Sequence, residues 1–444
     1  MLTFNDGDLY FEGQSLPELI RDCASPFFLF SEPLLRANFR ALQRGLTTGP
    51  NPARIRYCAK TNNEPAVLEV LQRLGSDVMV SHLAEAELAL SCGFEPEQIA
   101  FQRPVLSADE IRSAIAVGVR FFHAFHMDDI SLLAQLAMEA RLQLRISLRL
   151  CNGSRLGGFS PLAFLSRRLG FDAAEILNAV EAIRNSDFLS LAGINFYRGT
   201  QIESPKKYRP LIRRAVKLAQ RIQSRYNIEL EEINLGGGLP SFSSHKLGPS
   251  TIGAHLGTNW PSNRRHDSLE SFAAALSTAF ERELHAASLP YRPALALEPG
   301  RSIVADAGIL IARVHAREGR WLFLDASRNY LGESFLFLCR RILPLRASSE
   351  GTGFYHLSGS TLNTMDIIDF WRRIPAMQPG DSLAFCAAGA YTISRATRYA
   401  GLPPAVYWID ADGKLSLVKA AEDAGVLRPP SDANPISAQQ RNHG

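Results

Sequence analysis

The feature that most constrains this chain is a repeated two-element unit. Apolar, strand-like runs at 55–60 (IRYCAK), 76–81, 99–104 and 121–126 begin 21 to 23 residues apart. That spacing is the length of one strand, turn, helix and turn. Four more runs follow at 144–150, 191–198, 232–238 and 294–300. The segments between them carry helical periodicity. In Lys206–Asn227, the residues Tyr208, Leu211, Ile212, Ala215, Val216, Ala219 and Ile222 fall on one face, with Arg and Lys on the other. Helices are also predicted over 64–74, 84–92, 108–117, 128–140, 171–185 and 269–287. Eight strands alternating with helices predict an α/β fold, a (β/α)8 TIM-like barrel. An open doubly wound sheet is the competing arrangement.

The pattern changes after residue 303. Runs such as ILIARVHA, WLFLDAS, SLAFCAAGAYTIS and AVYWID succeed one another with few helical segments between them. They predict a C-terminal β-rich domain, a barrel or sandwich. The expected division is an N-terminal segment, 1–35, joining the β domain; a barrel over 36–303; the β domain over 304–427; and a disordered tail over 428–444. The stretch 239–267, long for a barrel connection, is expected to be functional or disordered. Trp321, Trp371 and Trp408 are assigned to the core of the second domain.

Composition narrows the function classes. The 48 basic residues nearly balance the 44 acidic ones, which gives nucleic-acid binding no support. No apolar run reaches the roughly 18 residues of a membrane span. The N-terminus lacks a basic region ahead of an apolar run, so no secretory signal is expected. Six cysteines without a CxxC pair read as reduced thiols of a cytoplasmic protein. The histidines lack metal-ligand spacing, and no metal is expected.

Barrel sites lie at the C-terminal ends of the strands. Those ends carry Lys60, Thr200, Gly236-Gly237-Gly238, and Glu298 with Arg301. Three consecutive glycines can offer bare backbone N–H groups to an anion. Arg301 supplies a fork for phosphate oxygens. Lys60 supplies an amine whose pKa burial can lower for covalent work. Glu298 adds a carboxylate. Each feature alone is commonplace; together they fit pyridoxal 5'-phosphate.

In these residues the chain resembles the fold-type III pyridoxal-phosphate decarboxylases, the ornithine, diaminopimelate and arginine decarboxylases with their alanine racemase-like barrel. Tyr57-Cys-Ala-Lys60-Thr-Asn62 is similar to the family's Y-x-x-K-x-N. Arg149 and Ser154-Arg155-Leu156-Gly157 resemble R-x-N-P and S-K-F-G. Gly199-Thr200-Gln201 resembles G-S-Q, and Gly236-Gly237-Gly238-Leu239-Pro240 resembles G-G-G-F-P. Glu298-Pro299-Gly300-Arg301 and Gly389-Ala390-Tyr391-Thr392 reproduce E-P-G-R and G-A-Y-T. The resemblance implies that Lys60 is the Schiff-base lysine and that Glu298 faces the pyridine nitrogen in ionised form. Thr200, the glycines, Gly300, Arg301 and Tyr391 would hold the cofactor. It also implies an amino-acid substrate and a homodimer with composite active sites. The reaction implied is decarboxylation by a carboxy-lyase. Racemisation or epimerisation on the same barrel, and a catalytically drifted homologue that binds partners, are the alternatives.

Several positions depart from that pattern. Tyr197 stands where the family stacks a histidine on the ring. Leu362 stands where a cysteine reaches the partner's site and protonates Cα, and Asn363 where an acidic residue helps recognise substrate. Glu333 aligns with an arginine of the diaminopimelate branch. These departures predict a substrate whose distal end is not a carboxylate handled as in diaminopimelate decarboxylase.

Overall fold

The computed structural model describes residues 2–50, 52–151, 169–172, 175–246, 268–332, 338–347 and 351–427. All eight strand-like runs become strands of one closed parallel barrel: Ala53–Cys58, Asp77–Val80, Ile99–Gln102, Phe121–Ala124, Leu144–Arg149, Leu189–Asn195, Glu232–Asn234 and Ala294–Leu297. They neighbour one another in chain order, and the eighth pairs with the first through Leu297 and Ile55. The open-sheet alternative is excluded.

The helices cover the barrel with their apolar stripes. Arg209–Tyr226 buries Leu211, Ile212, Ala215, Val216, Ala219 and Ile222, and a 3-10 turn over Pro205–Tyr208 precedes it. The helix Ile176–Arg184 is shorter than expected. Inside the barrel, below the strand ends, Arg56 pairs with Glu232 at 2.5 Å and lies 4.6 Å over the Phe121 ring.

The second domain is β-rich, as its run of short strands predicts. Its hub is Gly308–Glu318, which pairs with Phe27–Ser31, Trp321–Leu324 and Ser382–Phe385. The FFLF run therefore enters this sheet, between Gly308–Glu318 and Ala405–Ile409. Residues 2–15 form a separate three-stranded sheet. Trp408 is buried and donates to Glu32 at 3.2 Å. Trp371 departs from expectation: it is exposed, with φ +52° on a strand facing outward. Strand alternation points its ring away from the core, where it meets Phe354 and His356. The cysteines of the described residues are all free, and five of the six are buried. The tail from 428 and the stretch 247–267 lie outside the described residues.

Candidate active site

The strand-end residues converge. Cys58, Lys60, Gln102, Arg149, Tyr197, Thr200, Gly237, Gly238, Glu298, Gly300, Arg301 and Tyr391 line a cavity of about 280 Å³ at the C-terminal mouth of the barrel. A larger cavity, about 480 Å³, lies between the N-terminal segment and the second domain and contains none of these residues.

Lys60 follows the first strand in a 3-10 turn, Ala59–Thr61. The second domain grips that turn. Tyr391 N donates to Thr61 O at 2.8 Å, Asn62 Nδ2 to Gly389 O at 3.0 Å, and Ser394 Oγ to Lys60 O at 3.0 Å. Tyr391 takes φ +56°, a left-handed conformation costly for a bulky side chain. Those contacts hold it there, with the Arg301 guanidinium 5.0 Å from its ring centre.

The glycine run is dictated by crowding. At Gly236 a Cβ would collide with the carbonyl of Phe196, and at Gly238 with that of Gly199; both take positive φ. Gly237 and Gly238 line the cavity, whereas Gly236 does not and serves the turn. Tyr208 OH donates to Gly237 O at 3.0 Å and fixes the loop from beneath.

Glu298 is buried, and among the described residues both hydrogen bonds to its carboxylate go to one oxygen. Asn195 Nδ2 donates to Oε1 at 2.8 Å and Asn234 Nδ2 at 2.9 Å. Burial pushes its carboxyl above the usual range, while Arg149, Lys60 and Arg56 pull it down. The lysine differs from expectation. Its pKa is raised, not lowered: in the alkaline range where the amine titrates, negative charge on Cys58, Tyr391 and Glu298 favours the ammonium more than burial opposes it. Burial raises the Cys58 thiol and the Tyr197 phenol, so both stay protonated at neutral pH. Arg149 lies 5.5 Å from the Tyr197 ring centre, and its buried Nε has no hydrogen-bond partner among the described residues.

Leu362 and Asn363 do not line this cavity. They sit in a loop organised by Asp366, which accepts from Ser327 Oγ, Arg328 N, and Thr361 N and Oγ1. Leu362 is fully exposed there. Asn363 Oδ1 accepts from Met365 N at 2.9 Å. Glu333 and Ser154–Gly157 lie outside the described residues. Sequence reasoning missed Gln102, Asn195 and Asn234 as site residues. The available signal was their position: each is a polar residue ending a barrel strand.

The profile of the family described as "Pyridoxal-dependent decarboxylase, pyridoxal binding domain" matches residues 34–305. The chain belongs to that family. Its cofactor is pyridoxal phosphate, and its reaction is the decarboxylation of an amino acid. The donor set fits the group: an amine, a buried carboxylate, a glycine loop and two arginines around one cavity, with the Arg149 Nε still unmatched. Curated relatives include the diaminopimelate decarboxylase of Aquifex aeolicus, 23% identical, with 97% of each chain covered. The diaminopimelate decarboxylase of Methanothermobacter thermautotrophicus is 26% identical, with 95% of each covered. The crystal structure of diaminopimelate decarboxylase from M. jannaschi superposes with a TM-score of 0.84 at 21% identity over 98% of each chain, a likeness of fold.

Proposed function

We propose that this chain decarboxylates an α-amino acid with pyridoxal phosphate linked covalently to Lys60. When bound, the cofactor supplies an aldehyde for amines and a ring that accepts the electron pair released at Cα. The observation that carries the assignment is the single cavity joining Lys60, Glu298, Gly237, Gly238, Arg301 and Tyr391. Lys60 would be the attachment amine and would stand beside Cα as a base or acid. Glu298 would face the ring nitrogen and favour its protonated form. Gly237, Gly238, Thr200, Gly300, Arg301 and Tyr391 receive the phosphate, and Tyr197 covers the ring where a histidine is usual.

The loop carrying Leu362 and Asn363 completes the site of a second subunit in a homodimer. Its fully exposed apolar tip supports this reading. Leu362 cannot donate the proton that Cα needs after carbon dioxide leaves, so that proton comes from Lys60 or a water. With Leu362 and Asn363 on that loop and Glu333 at the aligned arginine position, the substrate's distal end is neutral or cationic, not a second carboxylate. An amino-acid panel assayed for carbon dioxide and product chirality tests this reading. Release of carbon dioxide with a single amine product is expected. Efficient turnover of meso-diaminopimelate would overturn the substrate class, and racemisation alone would overturn the reaction.

A further inference from the structure

The orientation of Glu298 is set by two amides that cannot turn over. Asn195 ends the sixth strand and Asn234 the seventh, and both are completely buried. Asn234 Oδ1 accepts the N–H of Gly236 at 2.8 Å, so its Nδ2 must face Glu298. Asn195 Oδ1 accepts from Gln102 Nε2 at 3.2 Å and from Arg149 Nη1, so its Nδ2 must also face Glu298. A flipped amide at either place would set oxygen against oxygen and strand a buried donor.

We propose that Asn195 is a positioning residue: it links the Arg149 guanidinium to Glu298 Oε1 and, with Asn234, fixes that oxygen so that Oε2 is the one presented to the cofactor's ring nitrogen. The proposal rests on the reading of Glu298 given above. The charged and titratable groups around Glu298 are Arg149, Lys60, Arg56 and Cys58. Of these, Arg149 acts on it directly by charge and is also joined to it by hydrogen bonds through the Asn195 amide. Polarisation along a buried hydrogen-bonded chain is the physical basis of the link.

The test uses cofactor-free protein, so it is separable from failure of the Lys60 reading. Glu298 is followed by carbon-13 NMR of glutamate-labelled protein and assigned by its loss in Glu298→Gln. Asn195→Asp, which replaces a donor by an acceptor, should raise the proton affinity of Glu298 at least tenfold. Arg149→Met should raise it in the wild-type background and change it less in Asn195→Ala, giving a measurable coupling between the two residues. Asn195→Ser, which keeps a hydroxyl donor, should shift it less than Asn195→Ala. It also carries the comparison should Asn195→Asp not fold. In loaded protein, the pH at which the visible band changes should move in the same order. An unmoved Glu298 titration in the folded Asp or Ala variant, or an Arg149→Met effect independent of residue 195, would overturn the proposal.

Discussion

The wall of the barrel mouth and the loop over 359–366 are built on opposite principles. On the wall, the key groups are held from several sides: Lys60 by a turn clamped from the second domain, Glu298 by two amides, and Gly236 and Gly238 by carbonyls that leave no room for a Cβ. In the loop, one carboxylate, Asp366, organises the backbone, and the tip residue Leu362 touches little of its own chain. Wall chemistry can therefore be read within a single subunit. The loop's contribution depends on what it meets in the proposed homodimer. Two of the departures from the family pattern, Leu362 and Asn363, lie on the loop, whereas Lys60, Glu298, Arg301 and Tyr391, which match it, lie on the wall together with a third departure, Tyr197.

The wall is most sensitive at Lys60. Lys60→Ala should abolish covalent attachment of the cofactor and lower turnover by at least ~10²–10⁴-fold, the range for a positioned acid or base. Steady-state assay and the visible spectrum check it. The next largest effect lies beneath the wall. Glu232→Ala removes the closer of the two carboxylates beside the buried Arg56, leaving Asp77 at 4.0 Å, and should cost up to about 3–5 kcal/mol, measured by urea unfolding. A loss under 1 kcal/mol would show that the pair is dispensable to the barrel.

A smaller effect is expected on the loop. Leu362→Cys should raise amine yield per turnover several-fold and reduce pyridoxamine phosphate, the by-product of protonation at the wrong carbon. If the wild-type protein already accumulates none and the variant changes nothing, another acid serves Cα. Light scattering complements this: a monomer mass at micromolar protein, with cofactor bound, would remove the loop from the site.

The smallest expected effect concerns pH. Burial raises the Glu298 carboxyl above its unfolded value, so the folded protein holds a proton that the unfolded chain releases. Stability then falls as pH rises between those two values, and the deficit is complete above the folded one. Glu298→Gln should raise the melting temperature of cofactor-free protein at neutral pH. It should not do so at a pH below the ordinary carboxylate range.

The barrel was legible because its strands recur at a fixed spacing and its helices carry clean apolar stripes. The mouth residues were legible because function in such barrels sits at strand ends. The polar chain of Gln102, Asn195 and Asn234 was not: each amide ends a barrel strand, but its position alone does not tell that the closed barrel links them into one chain around a single carboxylate. Trp371 misled for a related reason: aromatic content suggests a core, and only strand alternation reveals which face it occupies. The direction of the Lys60 shift depends first on Cys58, two residues away, and then on Tyr391 and Glu298, far apart from it in sequence.

The central claim is that Lys60 carries the cofactor, and borohydride reduction of the loaded protein followed by peptide mapping tests it most directly. The label should fall on the peptide containing Lys60 and should be absent in Lys60→Ala. A label on any other lysine, or none in protein that retains the cofactor, would contradict the account.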